Sequence, residues 1–188
     1  MIGSYMWLAI ALFGVFFIAV SYTANAGWYV PFKRVLENFY RFLPIGAVAM
    51  ILVFFAFGSQ IYQWRVPGIA EIDELIRHKG AFLNVGFILG TGLLLVGVWA
   101  FCGHLLKMNS KKEDVEGGLA YYMKSKVVSV AFLPLFGFGF SFFIFLWIMS
   151  IDPHWFSTIF AVYCFAGLFV SGMTVTMYIS TGLHREGF

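Results

Sequence analysis

A short polar break, Ile151-Asp152-Pro153-His154-Trp155, separates two long apolar runs towards the end of the chain. The runs lie at about residues 127–149 and 156–182. Of the 188 residues, 61% are hydrophobic and 11% are charged, whereas about 25% charged residues is usual in soluble proteins. Apolar runs of this length indicate an integral membrane protein in which the break is a turn at the membrane surface.

Five apolar segments of this kind occur along the chain, and each is long enough to cross a hydrocarbon layer of about 30 Å at about 1.5 Å per residue. They lie at about residues 4–26, 42–60, 80–103, 127–149 and 156–182. The sequence therefore predicts an all-α polytopic transmembrane bundle that forms one domain over residues 1–188. Small residues four apart predict close packing between spans; they are Gly86 and Gly90, Gly137 and Ser141, and Gly167 and Ser171.

Basic residues are unequally divided between the two sides of such a chain. If the spans alternate, one side carries Lys33, Arg34, Arg41, Lys107, Lys111, Lys112, Lys124, Lys126 and Arg185, and the other carries Arg65, Arg77 and Lys79. The positive-inside rule places the richer side in the cytoplasm, so the N-terminus and the Asp152–Trp155 turn are predicted to face outward. The outward N-terminus and the polar residues after Leu183 lead us to expect a fragment of a longer protein.

The chain lacks the residue patterns of several function classes. Its two cysteines, Cys102 and Cys164, lie in apolar runs without a second ligand at metal-binding spacing. No phosphate-binding loop, nucleophile elbow or basic stripe for nucleic acid is present. His104 and His184 end two spans on the same predicted side, which leaves a bis-histidine haem open as an alternative to two interfacial histidines.

Asp152, Pro153 and His154 have two interpretations. Asp is a favoured helix N-cap and Pro a favoured first helical residue, so the triplet predicts the start of the last span. The functional interpretation is that a helix start beside His154 and Trp155 binds a polar head such as a quinone carbonyl, or that Asp152 and His154 relay protons.

Glu37 also has two interpretations. It follows Arg34 by three residues and precedes Arg41 by four, so all three are predicted to share a helix face and form ion pairs, with Lys33 as a further partner. At the surface such a ladder contributes little stability. Buried at the end of a span, Glu37 would instead be the mouth of a proton entry path.

In these motifs and in their order, the chain resembles the NrfD/polysulfide-reductase-like membrane subunits, specifically the F subunits of bacterial alternative complex III. The strongest piece is Trp147 to Thr158 followed by Val162-Tyr163-Cys164-Phe165-Ala166-Gly167. Supporting pieces, between about residues 22 and 172, are Arg34-x-x-Glu37 running to Leu43-Pro44, Tyr62-x-Trp64, Lys79-Gly80-Ala81-Phe82-Leu83-Asn84, and Glu113-Asp114 before Gly117-Gly118.

The resemblance implies that the chain is the first bundle, and the helix after it, of a longer two-bundle subunit without a redox centre. It implies partner subunits that hold a quinol site, iron–sulfur clusters and c-type haems, within a complex that oxidises quinol. It also implies structural support and a proton-conducting half-channel for this chain. We therefore expect a non-catalytic subunit with Glu37, Asp152 and His154 as protonatable positions and with His154 and Trp155 nearest to quinone. The alternative is a stand-alone transporter or channel.

Overall fold

The protein is helical throughout the part that the computed structural model describes, residues 1–187. Eight α-helices follow one another, and no strand occurs in this range. They are α1 (Ile2–Thr23), α2 (Lys33–Phe39), α3 (Leu43–Ile61), α4 (Ile69–Ile72), α5 (Glu74–His78), α6 (Val85–Glu116), α7 (Ala120–Trp147) and α8 (Phe160–Arg185). Five segments are long and apolar enough to cross a membrane: Ile2–Thr23, Val30–Ile61, Val85–Glu116, Ala120–Ile151 and Phe160–Arg185. The predicted all-α bundle of five spans is confirmed.

Helix α1 is the centre of the bundle. In its most apolar stretch 61% of the residues are buried, against 22% to 33% in the other four spans. It packs against α2, α3, α7 and α8, while α6 and α7 form a long antiparallel pair. The outer helices therefore keep broad apolar faces uncovered, as expected for a protein that lies in a lipid bilayer.

Close approaches between helices occur at glycines other than those the sequence pattern indicated. A Cβ atom at Gly90, Gly137 or Gly167 would meet no heavy atom of the described chain within 4 Å. A Cβ at Gly14 would lie 2.6 Å from Phe39 Cβ, and one at Gly46 would lie 3.0 Å from Leu8 Cα. The prediction that these glycines bring the spans together is wrong for Gly90, Gly137 and Gly167, because no other described helix approaches the position of their Cβ atoms.

The connection between the third and fourth spans is much shorter than predicted. The predicted spans at about residues 80–103 and 127–149 leave residues 104–126 as their connection, but α6 continues to Glu116 and α7 begins at Ala120. Gly117 and Gly118 turn the chain with φ values of 68° and 76°, which glycine adopts readily. Hydropathy detects only the part of a helix that lies in lipid, and the added turns of α6 are rich in helix-forming residues.

The expected helix start at Asp152 is also wrong. Helix α7 ends at Trp147, a 3₁₀ turn covers Met149–Ile151, and α8 begins only at Phe160. Asp152 has φ −115° and ψ 99°, an extended conformation that a following proline favours. Its side chain accepts a hydrogen bond from the backbone N–H of His154, at 3.1 Å, a local bond that competes with helix capping.

Candidate functional site

Ionisable side chains concentrate at the two ends of the bundle. Helix α2 precedes α3 and helix α5 follows it, so they lie near opposite ends of a helix of 19 residues, or about 28 Å at 1.5 Å per residue. We call these the α2 end and the α5 end. The α2 end is the predicted cytoplasmic side.

Glu37 is the buried carboxylate of the α2 end. The residue is 3% exposed because α2 packs against α1, where Gly14 allows close contact with Phe39. The Arg34 guanidinium lies 2.5 Å from Glu37 Oε2, and the Lys33 ammonium lies 4.0 Å from Oε1. The prediction that Glu37 pairs with Arg34 is confirmed.

Arg41 does not join this ladder. No ion pair between Arg41 and Glu37 is formed within residues 1–187. Helix α2 ends at Phe39, and Tyr40–Phe42 form a 3₁₀ turn with about 3.0 residues per turn in place of 3.6. The tighter winding rotates Arg41 away from the Glu37 face, where its side chain is exposed.

Helix α6 supplies two further carboxylates. Lys33 lies 3.5 Å from Glu113, Arg34 also pairs with Asp114, and Arg34 donates to Ser110 Oγ at 3.2 Å. The turns of α6 that continue past the predicted span thus carry the partners of α2. We call this group the Glu37 cluster: Lys33, Arg34, Glu37, Ser110, Glu113 and Asp114. The contribution of Ser110 was missed, although its spacing of three and four residues from Glu113 and Asp114 places all three on one helix face.

Two tyrosines adjoin the Glu37 cluster. Tyr22 donates to Glu113 Oε2 at 3.4 Å, and its ring centroid lies 6.2 Å from that of buried Tyr29. Burial raises the pKa of the Tyr29 hydroxyl, and the neighbouring Tyr22, Glu113 and Glu37 raise it further. Tyr29 therefore remains a neutral group beside the carboxylates.

One oxygen of Glu37 is buried without a hydrogen-bond partner in the described chain. Its side chain is 1% exposed, and Oε1 has no hydrogen-bond partner among the described residues. A buried polar atom without such a partner is rare in proteins and calls for an explanation. Oε1 faces only the more distant Lys33 ammonium, so a water molecule or a proton donor would complete its hydrogen bonding.

The α5 end joins two loops through His154. Its Nε2 lies 2.9 Å from Asp73 Oδ2, while Asp73 Oδ1 caps α5 by accepting from the N–H groups of Leu75 and Ile76. Lys79 donates to the carbonyl of Pro153 at 2.7 Å. The sequence did not indicate the contact with Asp73, because 81 residues separate the partners.

The other candidates at this end lie at the surface. Asp152 is exposed, and among residues 1–187 its side chain bonds only to the His154 backbone N–H. Trp155 is 47% exposed and packs edge-on against Phe160, with ring centroids 5.0 Å apart. The structure therefore brings Asp152 and His154 together and leaves Glu37 at the opposite end.

The remaining histidines do not share an enclosed site. His104 is exposed and its Nδ1 lies 3.3 Å from the Tyr40 hydroxyl oxygen, and His184 is exposed in the last turn of α8. In the described part of the chain, no three His, Cys, Asp or Glu side chains form a group that could hold a metal ion.

Comparison with protein-family models and with curated proteins found no match to this chain.

Proposed function

We propose that this chain is a structural and proton-conducting subunit of a bacterial respiratory quinol:electron acceptor oxidoreductase of the alternative complex III kind. In this proposal the chain holds no redox centre. A quinol-site subunit, an iron–sulfur subunit and c-type cytochrome subunits are its partners in the inner membrane. The α2 end faces the cytoplasm and the Asp152–Trp155 turn faces the periplasm.

Buried Glu37 is the observation that carries the proposal. A carboxylate that is buried at the end of a membrane bundle costs free energy to remove from water, which makes it a candidate functional residue. Arg34 and Lys33 lie beside the carboxylate, whereas Oε1 has no hydrogen-bond partner in the described chain. The hydroxyl groups of Tyr29 and Tyr22 adjoin the cluster. Together these groups suit a carboxylate that takes up protons from the cytoplasmic side and passes them on.

The chain on its own supports half of a proton path. The bundle core beyond the Glu37 cluster is lined by aromatic rings, such as Phe136, Phe143 and Trp99, which cannot transfer protons. In this proposal the second half of the path lies along a partner subunit, and His154 with Asp73 lies at its far end. This division agrees with the half-channel that the sequence resemblance implies.

Co-purification tests the assignment to a complex. The chain is tagged in its native host and extracted in mild detergent. Recovery with c-type haem and iron–sulfur polypeptides, together with quinol oxidation by the pool, is the expected result. Recovery of the chain alone and colourless would refute the assignment, and solute uptake by liposomes containing only this chain would establish the transporter alternative.

Proton translocation tests the role of Glu37. In vesicles that contain the assembled complex, Glu37→Gln is expected to lower the number of protons moved per quinol oxidised while the complex still assembles. Glu74→Gln is the matched control, because Glu74 lies on α5 with a side chain that is 75% exposed. Wild-type proton movement in Glu37→Gln would refute the proton path. Loss of assembly in Glu37→Gln but not in Glu37→Asp would assign Glu37 a structural role.

A further inference from the structure

We propose that the groove between α3 and α8 binds one anionic phospholipid, with an acyl chain along α1 and the phosphate at the α2 end. This inference does not depend on the respiratory assignment. The groove exists because the outer helices do not close around α1. In the described chain α3 packs against α6 and α8 packs against α7, but α3 and α8 are not packed against each other.

The floor and walls of the groove are apolar. It encloses about 400 Å³, and its lining includes Trp7 and Ile10 of α1, Ala49 of α3, and Val175 and Ile179 of α8. Trp7 is 71% exposed, although it lies on α1, the most buried helix of the bundle. An apolar groove of this kind is chemically suited to a hydrocarbon chain.

The groove continues into a polar mouth at the α2 end. A second cavity of about 270 Å³ shares Phe39, Phe42 and Ile179 with the groove, and adds Arg34 and Asn38. An apolar channel that ends at charged and amide side chains matches the order of groups along a phospholipid, in which the acyl chains lead to a charged head.

Cations outnumber carboxylates around this mouth. Arg34, the cation that lines the mouth, is already paired with Glu37 and Asp114. The surplus comes from two cations beside the lining: Lys107, which contacts Asn38, and Arg41, which precedes Phe42 in the chain. Lys107 is 8% exposed and donates to Asn38 Oδ1, and no carboxylate among residues 1–187 pairs with it. The charged groups acting on Lys107 are Arg41, Lys111 and Arg34, which repel its charge, and Glu37, which attracts it.

This surplus selects an anionic head. A buried ammonium without a carboxylate in contact is stabilised by an anion placed on the exposed side of Asn38. Basic pockets between transmembrane helices at the membrane surface are suited to anionic lipid heads, and each Lys or Arg contributes about a fivefold gain in affinity. A neutral lipid or an apolar helix would fill the groove without using the charge at its mouth.

Fluorescence quenching from Trp7 tests the proposal on the whole chain in lipid nanodiscs. Phosphatidylglycerol brominated midway along its acyl chains is added as a minor component, and brominated phosphatidylcholine is the comparison. The Trp7 signal is the difference between the wild type and Trp7→Phe. The control reporter is Phe138→Trp in the Trp7→Phe background, because Phe138 lines an apolar groove on α7 without a charged residue.

We expect phosphatidylglycerol to quench Trp7 at a lower lipid fraction than phosphatidylcholine, and both lipids to quench the control reporter of Phe138→Trp equally. Lys107→Gln is expected to lower the preference for phosphatidylglycerol about fivefold, and Lys124→Gln, an exposed cation of α7, to leave it unchanged. If Lys107→Gln does not fold, exposed Arg41→Gln is the second variant and is expected to lower the preference too.

Equal quenching of Trp7 by both lipids would show bulk lipid only. Absence of quenching by either lipid would show that protein, such as a second copy of the chain, closes the groove, and both results would overturn the proposal.

Discussion

Replacing Gly14 by alanine is predicted to destabilise the bundle by forcing α2 away from α1. A Cβ at this position would lie 2.6 Å from Phe39 Cβ and 2.8 Å from the carbonyl oxygen of Leu36. Atoms in contact normally lie about 3.5–4.0 Å apart, so the helices must separate by about 1 Å. Because Leu36 O belongs to the backbone, no change of side-chain rotamer can relieve the contact.

The magnitude follows from comparison with a glycine that touches nothing. Gly97 lies within α6, is exposed, and a Cβ there would meet no heavy atom of the described chain within 4 Å. Alanine favours a helix over glycine by about 1 kcal/mol at either position. Overpacking of a filled interface costs about 1–3 kcal/mol. We therefore expect Gly14→Ala to be less stable than Gly97→Ala by about 1–3 kcal/mol.

Reversible unfolding by sodium dodecyl sulfate in mixed micelles, followed by circular dichroism, measures this difference. Gly97→Ala serves as the control for helix propensity and for the general effect of an added methyl group. Equal stability of the two variants would refute the reasoning, since it would mean that α2 does not pack on Gly14. A second readout is proton translocation by the assembled complex, which is expected to fall in Gly14→Ala because α2 carries Glu37.

Three further predictions concern the α2 and α5 ends. Burial raises the pKa of Tyr29 above its usual value, which is about 10. Above that pH the unfolded chain loses the tyrosine proton first, so stability falls as pH rises. Alkaline titrations of unfolding should show a shallower fall in Tyr29→Phe than in the wild type. The buried Tyr62 hydroxyl donates to the Trp147 carbonyl at 2.8 Å, so Tyr62→Phe should lower the free energy of unfolding by about 1 kcal/mol. An unchanged free energy of unfolding would show that this hydrogen bond does not stabilise the fold. His154→Ala should change the free energy of unfolding by less than about 1 kcal/mol, because the His154 side chain that contacts Asp73 is 54% exposed. A larger loss of stability in thermal unfolding would show that the pair contributes more than a surface ion pair does.

Hydropathy and helical spacing predict the local part of this structure. The five spans and the pairing of Glu37 with Arg34 follow from residues within one helix, where spacing fixes which side chains meet. The helix-packing glycines could not be predicted in this way. Gly90 has a second glycine four residues away and Gly14 has none, yet the position of α2 covers Gly14 and leaves Gly90 without a neighbouring helix.

Local backbone geometry and one contact between distant segments account for what the sequence failed to predict at the α5 end. Asp152 was expected to cap a helix, but the following proline holds it in an extended conformation and its side chain bonds locally to His154. His154 in turn finds Asp73 on a loop that precedes it by two spans. No spacing rule relates those two residues, because their contact depends on how the spans are arranged around α1.

The same three-dimensional arrangement explains why Glu37 is buried. Hydropathy places the end of the third span near residue 103, since the next turns of α6 carry lysines and acids. A helix can leave the lipid and continue in water, because its backbone hydrogen bonds are satisfied within the helix. Continuing to Glu116, α6 reaches the level of α2 and offers Glu113 to Lys33 and Asp114 to Arg34. These pairings hold the two cations over Glu37, and so the turns that a hydropathy profile assigns to a loop create the environment of the buried carboxylate.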